Sequence, residues 1–321
     1  MSELLNTLYA STFGTDKRLF ILHLATAAAL GILVLRARQH SWRQACSQVL
    51  STRTWRTPSA RADYQIILLN LLIFIPLTPW LPDAIALAQW GLTQVNNWFE
   101  RPMLFVETPW VIPFAFTLCL FVLDDFARYW LHRLMHRLPA LWYFHAVHHS
   151  ARTLTPLTVL RAHPVEVLLF SMRSVVVNAC CLAVFFYFFP GQISLITLLG
   201  ANVFNFGFNL LGSNLRHSHI YWRYWSWLEG WLISPAQHQI HHSARPRHYD
   251  KNFGAMLAIW DRLFGTLYRS DEQPPKRLGT HWRRQPGEQS LLQLYVGPFR
   301  QLARRWTGHP RQSKRSPSPQ D

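Results

Sequence analysis

The chain has 321 residues, 50% hydrophobic and only 15% charged, with a net charge of +16. Its apolar residues lie in blocks flanked by arginine, the pattern of a membrane protein with positive-inside topology and anionic lipid at its basic face. No nucleic-acid recognition module accompanies the positive charge, so nucleic acid is not expected as a partner.

The N-terminus carries Glu3 and no early basic region, so no cleaved signal peptide is expected. The first apolar block, 19–35, lies between Lys17 and Arg18 on one side and Arg36 and Arg38 on the other. It is a little short but can span as a helix. Segment 36–63 holds six arginines against Asp63 and is expected in the cytoplasm. A second block covers 64–82, where Pro76, Pro79 and Pro82 predict a kinked or ending helix. The acidic loop 83–109 belongs on the outer side, its middle suited to an interfacial amphipathic helix.

The third block, 110–130, returns the chain to the cytoplasm and runs into His132. Asp124 and Asp125 lie near its inner end, where carboxylates are expensive and are functional candidates. Either could accept the far N–H of a metal-bound imidazole and so fix its tautomer. The alternative is a salt bridge to Arg128. Residues 137–166 form a cytoplasmic connection containing His163 and Glu166. Two further blocks, 167–189 and 192–211, meet at Pro190 and Gly191 and read as a helical hairpin that either crosses fully or only dips into one leaflet, in both cases returning to the cytoplasmic side. Asn202, Asn205 and Asn209 in its second arm could line a channel or join helices. Trp222, Trp225, Trp227 and Trp231 then suit a bilayer surface.

These elements predict an all-α integral membrane protein with four to five apolar helical segments and a cytoplasmic helical cap carrying the histidines. The expected units are N-terminal membrane helices over 1–110, a histidine-rich catalytic unit over 111–270 and a basic, partly disordered tail over 271–321. If the source is bacterial, the inner membrane is the expected location. Cys46, Cys119, Cys180 and Cys181 show no CxxC spacing and predict neither a thiolate metal site nor a disulfide framework.

Twelve of the 16 histidines fall between 132 and 248. His132 and His136 are spaced i, i+4, one turn apart on one helix face. HAVHHS carries His145, His148 and His149 at i, i+3, i+4, and HQIHHS repeats that spacing with His238, His241 and His242. Two chance copies are expected on the order of once in a thousand such sequences. Imidazole is the commonest metal ligand. Eight of them exceed what one structural zinc needs, so two metal ions are indicated. Sulfur-free nitrogen ligation suits Fe, Zn, Cu or Ni, and spacing does not choose among them. At a membrane face the accessible substrates are lipids. Unactivated C–H bonds there require a redox metal and O2 as co-substrate rather than a Lewis acid.

HRLMH, HAVHHS and HQIHHS, together with SPAQH and NFG…WDRLFGT, resemble the sterol desaturase and fatty acid hydroxylase superfamily over roughly 115–270. The resemblance implies an integral membrane oxygenase with a histidine-held centre of two iron ions, zinc being a possible substitute. It implies hydroxylation or desaturation of a sterol, fatty acyl or alkyl lipid. Carried over by motif, the ligands would be His132, His136, His145, His148, His149, His238, His241 and His242. His217 resembles the additional histidine before the last box. His163 and His219 are weaker candidates. No HPGG or GxGxxG motif is present, so electrons would come from a separate reductase with a ferredoxin or cytochrome b5-like protein. The other function classes are a histidine-rich metal transporter, which needs ligands along a path through the bilayer, a di-zinc membrane hydrolase and a bis-histidine haem protein.

Overall fold

A computed structural model gives the fold over residues 12–102, 104–198, 201–280 and 287–307. His281 and His309 fall outside these described residues, as does most of the N-terminal stretch discussed above. Among the described residues the regular elements are helices and one pair of two-residue strands, β1 (Thr197–Leu198) with β2 (Ala201–Asn202).

Helix α1 is Ile21–Ala37. Two short helices, α2 (Trp42–Val49) and α3 (Thr52–Trp55), occupy the arginine-rich connection. Helix α4, Pro58–Leu77, begins where Thr57 caps Ala60 N and Pro58 sits in the first turn. Asp83 caps α5, Ala84–Trp98, which packs along the later helix Pro164–Phe188. Helix α6, Val111–Arg137, runs 27 residues, about 40 Å at 1.5 Å per residue. The third apolar block and the first histidine pair therefore share one rigid rod. Pro139 ends it and starts α7, Pro139–His149. Helix α8 is Pro164–Phe188.

Two segments, Pro58–Trp98 and Pro164–Phe188, are long and apolar enough to cross a membrane, with mean hydropathies of 1.7 and 2.0. Only 6% and 11% of their most apolar windows are buried inside the protein, so these apolar surfaces need a nonpolar surrounding. The second hairpin arm expected over 192–211 is not a spanning helix. Its described residues divide between the paired strands β1 and β2 and helix α9, Val203–Leu210, where Asn202 caps α9 and also donates to Thr117 O (3.3 Å). Asn209 accepts from Ser213 Oγ at 2.8 Å. Both asparagines join segments.

The cap is built from α7, the turn at Ser213–His217, α10 (Pro235–His241) and α11 (Ile259–Leu263). The segment expected as a basic, partly disordered tail includes the described residues 287–307. There Leu291–Trp306 forms α12, whose Leu294 packs with Ile66 and Val147. Glu288 pairs with Arg152 at 2.9 Å, and Gln289 accepts from Arg161 at 2.9 Å. An apolar stripe hidden among arginines and glutamines gives this segment its docking face. The four cysteines are free thiols.

Candidate metal centre

Nine imidazoles converge in two buried groups. His132, His136, His145, His149 and His241 form one, and His148, His217, His238 and His242 the other. Within each, one ligand atom per residue lies within 4.8 Å of all the others.

Local sequence chemistry sets the ligand-bearing helices. Pro139 starts α7, and Ser150 closes it by donating to Val147 O at 2.7 Å. SPAQ forms a capping box on α10. Ser234 Oγ accepts from Gln237 N (3.1 Å), and Gln237 Oε1 accepts from Ser234 N (3.0 Å). Glu229 holds that box from behind, accepting from Ser234 Oγ at 2.7 Å and Ser270 Oγ at 2.6 Å.

The two HxxHH boxes divide between the groups in opposite senses. His145 and His149 enter the first group and His148 the second. His238 and His242 enter the second group and His241 the first.

Ring orientation comes from Nδ1 partners. His132 donates to Phe253 O at 2.8 Å, His241 to Lys251 O at 2.7 Å and His148 to Arg161 O at 3.1 Å. His145 donates to Glu166 Oε1 at 2.8 Å. One loop therefore fixes histidines from two different helices. It needs positive φ at Asp250 and Asn252, both 57°, a conformation that Asn and Asp tolerate better than most residues. Asn252 and Asp261 lock it. Asn252 Nδ2 donates to Gln237 O at 3.1 Å, and Asp261 accepts from Phe253 N (2.8 Å), Gly254 N (2.7 Å) and Thr266 Oγ1 (2.6 Å). NFG and WDRLFGT are thus one buttress.

The donors fit metal. Nε2 of His132, His145 and His241 is buried with no partner. Other ring nitrogens crowd together: His136 to His149 at 3.1 Å, His217 to His238 at 2.9 Å, and His238 to His242 at 3.2 Å. Two nitrogens bound to one ion at 2.0–2.1 Å are about 3.0–3.4 Å apart. Burial first, then neighbouring imidazoles, holds His149, His238 and His242 well below the usual histidine range. Burial takes His148 to about 3. Neutral imidazole is the ligating form.

Four expected site residues lie elsewhere. Asp124 does not reach a histidine, because Arg128 (2.9 Å) and Arg173 (2.8 Å) take its carboxylate. Asp125 accepts from Met256 N, Leu257 N and Trp260 Nε1, and so supports the loop rather than a ring. His163 caps α8, accepting from Val165 N, and its Nε2 donates to Tyr295 O. With both nitrogens committed it is no ligand. His219 is exposed and donates to Gln48 O. Sequence reasoning missed Glu166 as the carboxylate partner and Arg161 as the hub beneath His148. Fully buried, Arg161 pairs with Asp63 at 2.9 Å and donates to Val147 O and Ser150 Oγ.

Residues 117–266 match the fatty acid hydroxylase family. The matched segment is 150 of the 321 residues, a little under half of the chain. It is 32% identical over 163 residues to alkylglycerol monooxygenase of Danio rerio, covering 51% of this chain and 32% of that protein. It is 31% identical over 173 residues to ornithine lipid hydroxylase OlsE of Rhizobium tropici, covering 52% and 45%. Against Delta(7)-sterol-C5(6)-desaturase of Nicotiana tabacum it is 25% identical over 216 residues, covering 66% and 70%. The chain spans about a third of the length of the alkylglycerol monooxygenases it matches. No solved structure matches it significantly.

Proposed function

We propose that the chain is an O2-dependent hydroxylase or desaturase of a membrane lipid, with two irons at the nine-histidine centre on the cytoplasmic face. The observation that carries this reading is the pair of adjacent all-imidazole groups. The family match and the lipid-modifying relatives support it. Bound iron would supply the redox chemistry with O2 that an unactivated C–H bond demands. His132, His136, His145, His149 and His241 would hold one ion, and His148, His217, His238 and His242 the other.

The remaining work falls to the protein. Phe253 O, Lys251 O, Arg161 O and Glu166 keep four rings aimed inward, so little reorganisation accompanies metal loading. Burial keeps the imidazoles neutral and the centre dry. A separate cytochrome b5-like or ferredoxin partner would deliver electrons. Two closed histidine groups, rather than ligands strung along a path, favour this reading over a transporter. Neither group contains a carboxylate, which disfavours a di-zinc hydrolase.

The test is metal content and Mössbauer spectroscopy on 57Fe-grown, detergent-purified protein, paired with lipid profiles of cells carrying His148→Ala or His241→Ala. Two irons per chain that oxidise with O2, and an oxidised lipid absent from both variants, are expected. Two redox-inert zincs after iron-supplemented growth, or unchanged lipid oxidation in both variants, would refute it.

A further inference from the structure

Arg18 and Arg216 are guanidiniums drawn out of water with no carboxylate to meet them. Arg216 is 3% exposed. Its Nε donates to Ser213 O at 3.2 Å, and its guanidinium lies over the Phe208 ring at 5.1 Å. Arg18 reaches the same carbonyl from the segment before α1, and its own Nε is buried without a partner. Among the described residues no acid pairs with either.

The acids of α6 are committed elsewhere. Asp124 is shared by Arg128 and Arg173, and Asp125 holds the 256–260 backbone and Trp260. Burial, then the charges of Arg216 and Arg128, pulls the Arg18 guanidinium well below its usual pKa. Asp125 acts on Arg216 only at a distance, its oxygens being spent on the 256–260 segment, and a buried positive pair without a directly bonded counter-charge is unfavourable unless an anion joins it. Guanidinium forks match phosphate and carboxylate oxygens. The location is also specific. Arg216 adjoins His217 in the Ser213–His217 turn, and both arginine charges act on that imidazole.

We propose that Arg18 and Arg216 hold the oxyanion headgroup, phosphate or carboxylate, of an amphiphilic lipid beside the His148–His217–His238–His242 group. The lipid part rests on the function proposed above. The oxyanion part rests on the arginine geometry alone. A headgroup held next to a ligand-bearing turn places the head end of the lipid, rather than its distal tail, nearest the metals.

The test is calorimetric binding to full-length, detergent-purified protein. The probes are palmitoyl lysophosphatidate, neutral monopalmitoylglycerol and glycerol phosphate, which has no acyl chain. Wild type should prefer lysophosphatidate over monopalmitoylglycerol by about tenfold or more, the effect of one charge-assisted hydrogen bond. Arg216→Gln and Arg18→Gln should each erase that preference and leave monopalmitoylglycerol binding unchanged. Arg216→Lys should keep part of it. Thermal unfolding reports whether each variant is folded. If Arg216→Gln is not, Arg18→Gln on its partly exposed segment decides. Equal affinity for both lipids in wild type, or an undiminished preference in folded variants, overturns the site. Glycerol phosphate binding as tightly as lysophosphatidate overturns the lipid source. The assay needs no turnover. A lysophosphatidate preference without lipid oxidation removes the oxygenase reading and keeps the site. Lipid oxidation without the preference removes only the site.

Discussion

Glu166 offers the sharpest test of how this centre is held. Its Oε1 accepts from His145 Nδ1 at 2.8 Å, both side chains are buried, and Oε2 has no partner. The carboxylate fixes the tautomer that leaves Nε2 free for metal and raises the basicity of the ring. Glu166→Ala removes a charge-assisted bond of about 1.5–3 kcal/mol and strands a buried N–H. At about 1.4 kcal/mol per tenfold, that is a ten- to hundredfold loss of metal affinity, as expected for an outer partner of a ligand. His145 belongs to the first group, so the loss should fall on one of the two ions. Glu166→Gln keeps an uncharged acceptor and should lose less, under about tenfold. The assay is metal per chain by mass spectrometry after graded chelator challenge, with thermal unfolding as the folding control. Wild-type retention in Glu166→Ala would refute the reasoning, as would a uniform loss of both ions.

His217→Ala should lower metal content toward one ion per chain, whereas His219→Ala, which removes only a bond to Gln48 O, should leave it unchanged; metal analysis of the pair separates them. Gly254→Ala would place a Cβ 2.5 Å from Leu257 O and 2.8 Å from Asp261 Oδ2. It should destabilise the fold by about 1–3 kcal/mol and loosen His132, read as a lower melting temperature and faster chelator stripping. Metal-free protein should lose stability as pH falls. The buried histidines, His148 at about 3 among them, titrate below the ordinary value of about 6.5. Between those values the unfolded chain binds protons that the folded chain refuses, and above about 6.5 the contribution is flat. A melting temperature of the metal-free protein that does not change from pH 7 to pH 5 would contradict this.

Much of the centre was legible because its ligands repeat at helical spacing. His132 to His149 and His238 to His242 announce themselves through i, i+3 and i+4. Their supports do not, because they come from distant segments. Glu166 lies 21 residues beyond His145. Phe253 O and Lys251 O are backbone atoms that no composition reveals. Asp124 and Asp125 drew the carboxylate role through their place near the inner end of the apolar block that runs into His132, yet nearby cations and a loop backbone compete more closely for them. His163 misled for a similar reason, since a histidine before proline caps a helix as well as it binds a metal. The hairpin over 192–211 was read from hydropathy alone, which does not see Asn202 breaking the helix to cap a shorter one. Helix α12 was hidden by its charge, although Leu291, Leu294 and Tyr295 carry a helical period.

The opposite senses of the two HxxHH boxes explain why a doubled motif is required. At 100° per residue, positions i and i+4 differ by about 40° around a helix, while i+3 lies about 60° to the other side. An i, i+4 pair can therefore share one ion, and the i+3 ring points toward a neighbour. Helix α7 gives its pair, His145 and His149, to the first group and His148 to the second. The HQIHH box gives its pair, His238 and His242, to the second group and His241 to the first. Each box alone would build one site and leave a buried imidazole unmet. Facing each other, the two boxes complete both groups, and the helices themselves would set the distance between two bound ions. His132 and His136 on α6 and His217 on the 213–217 turn then fill the remaining positions. Moving either box by one residue would misplace imidazoles in both groups, so the spacing of HxxHH and the pairing of the two histidine groups are one constraint.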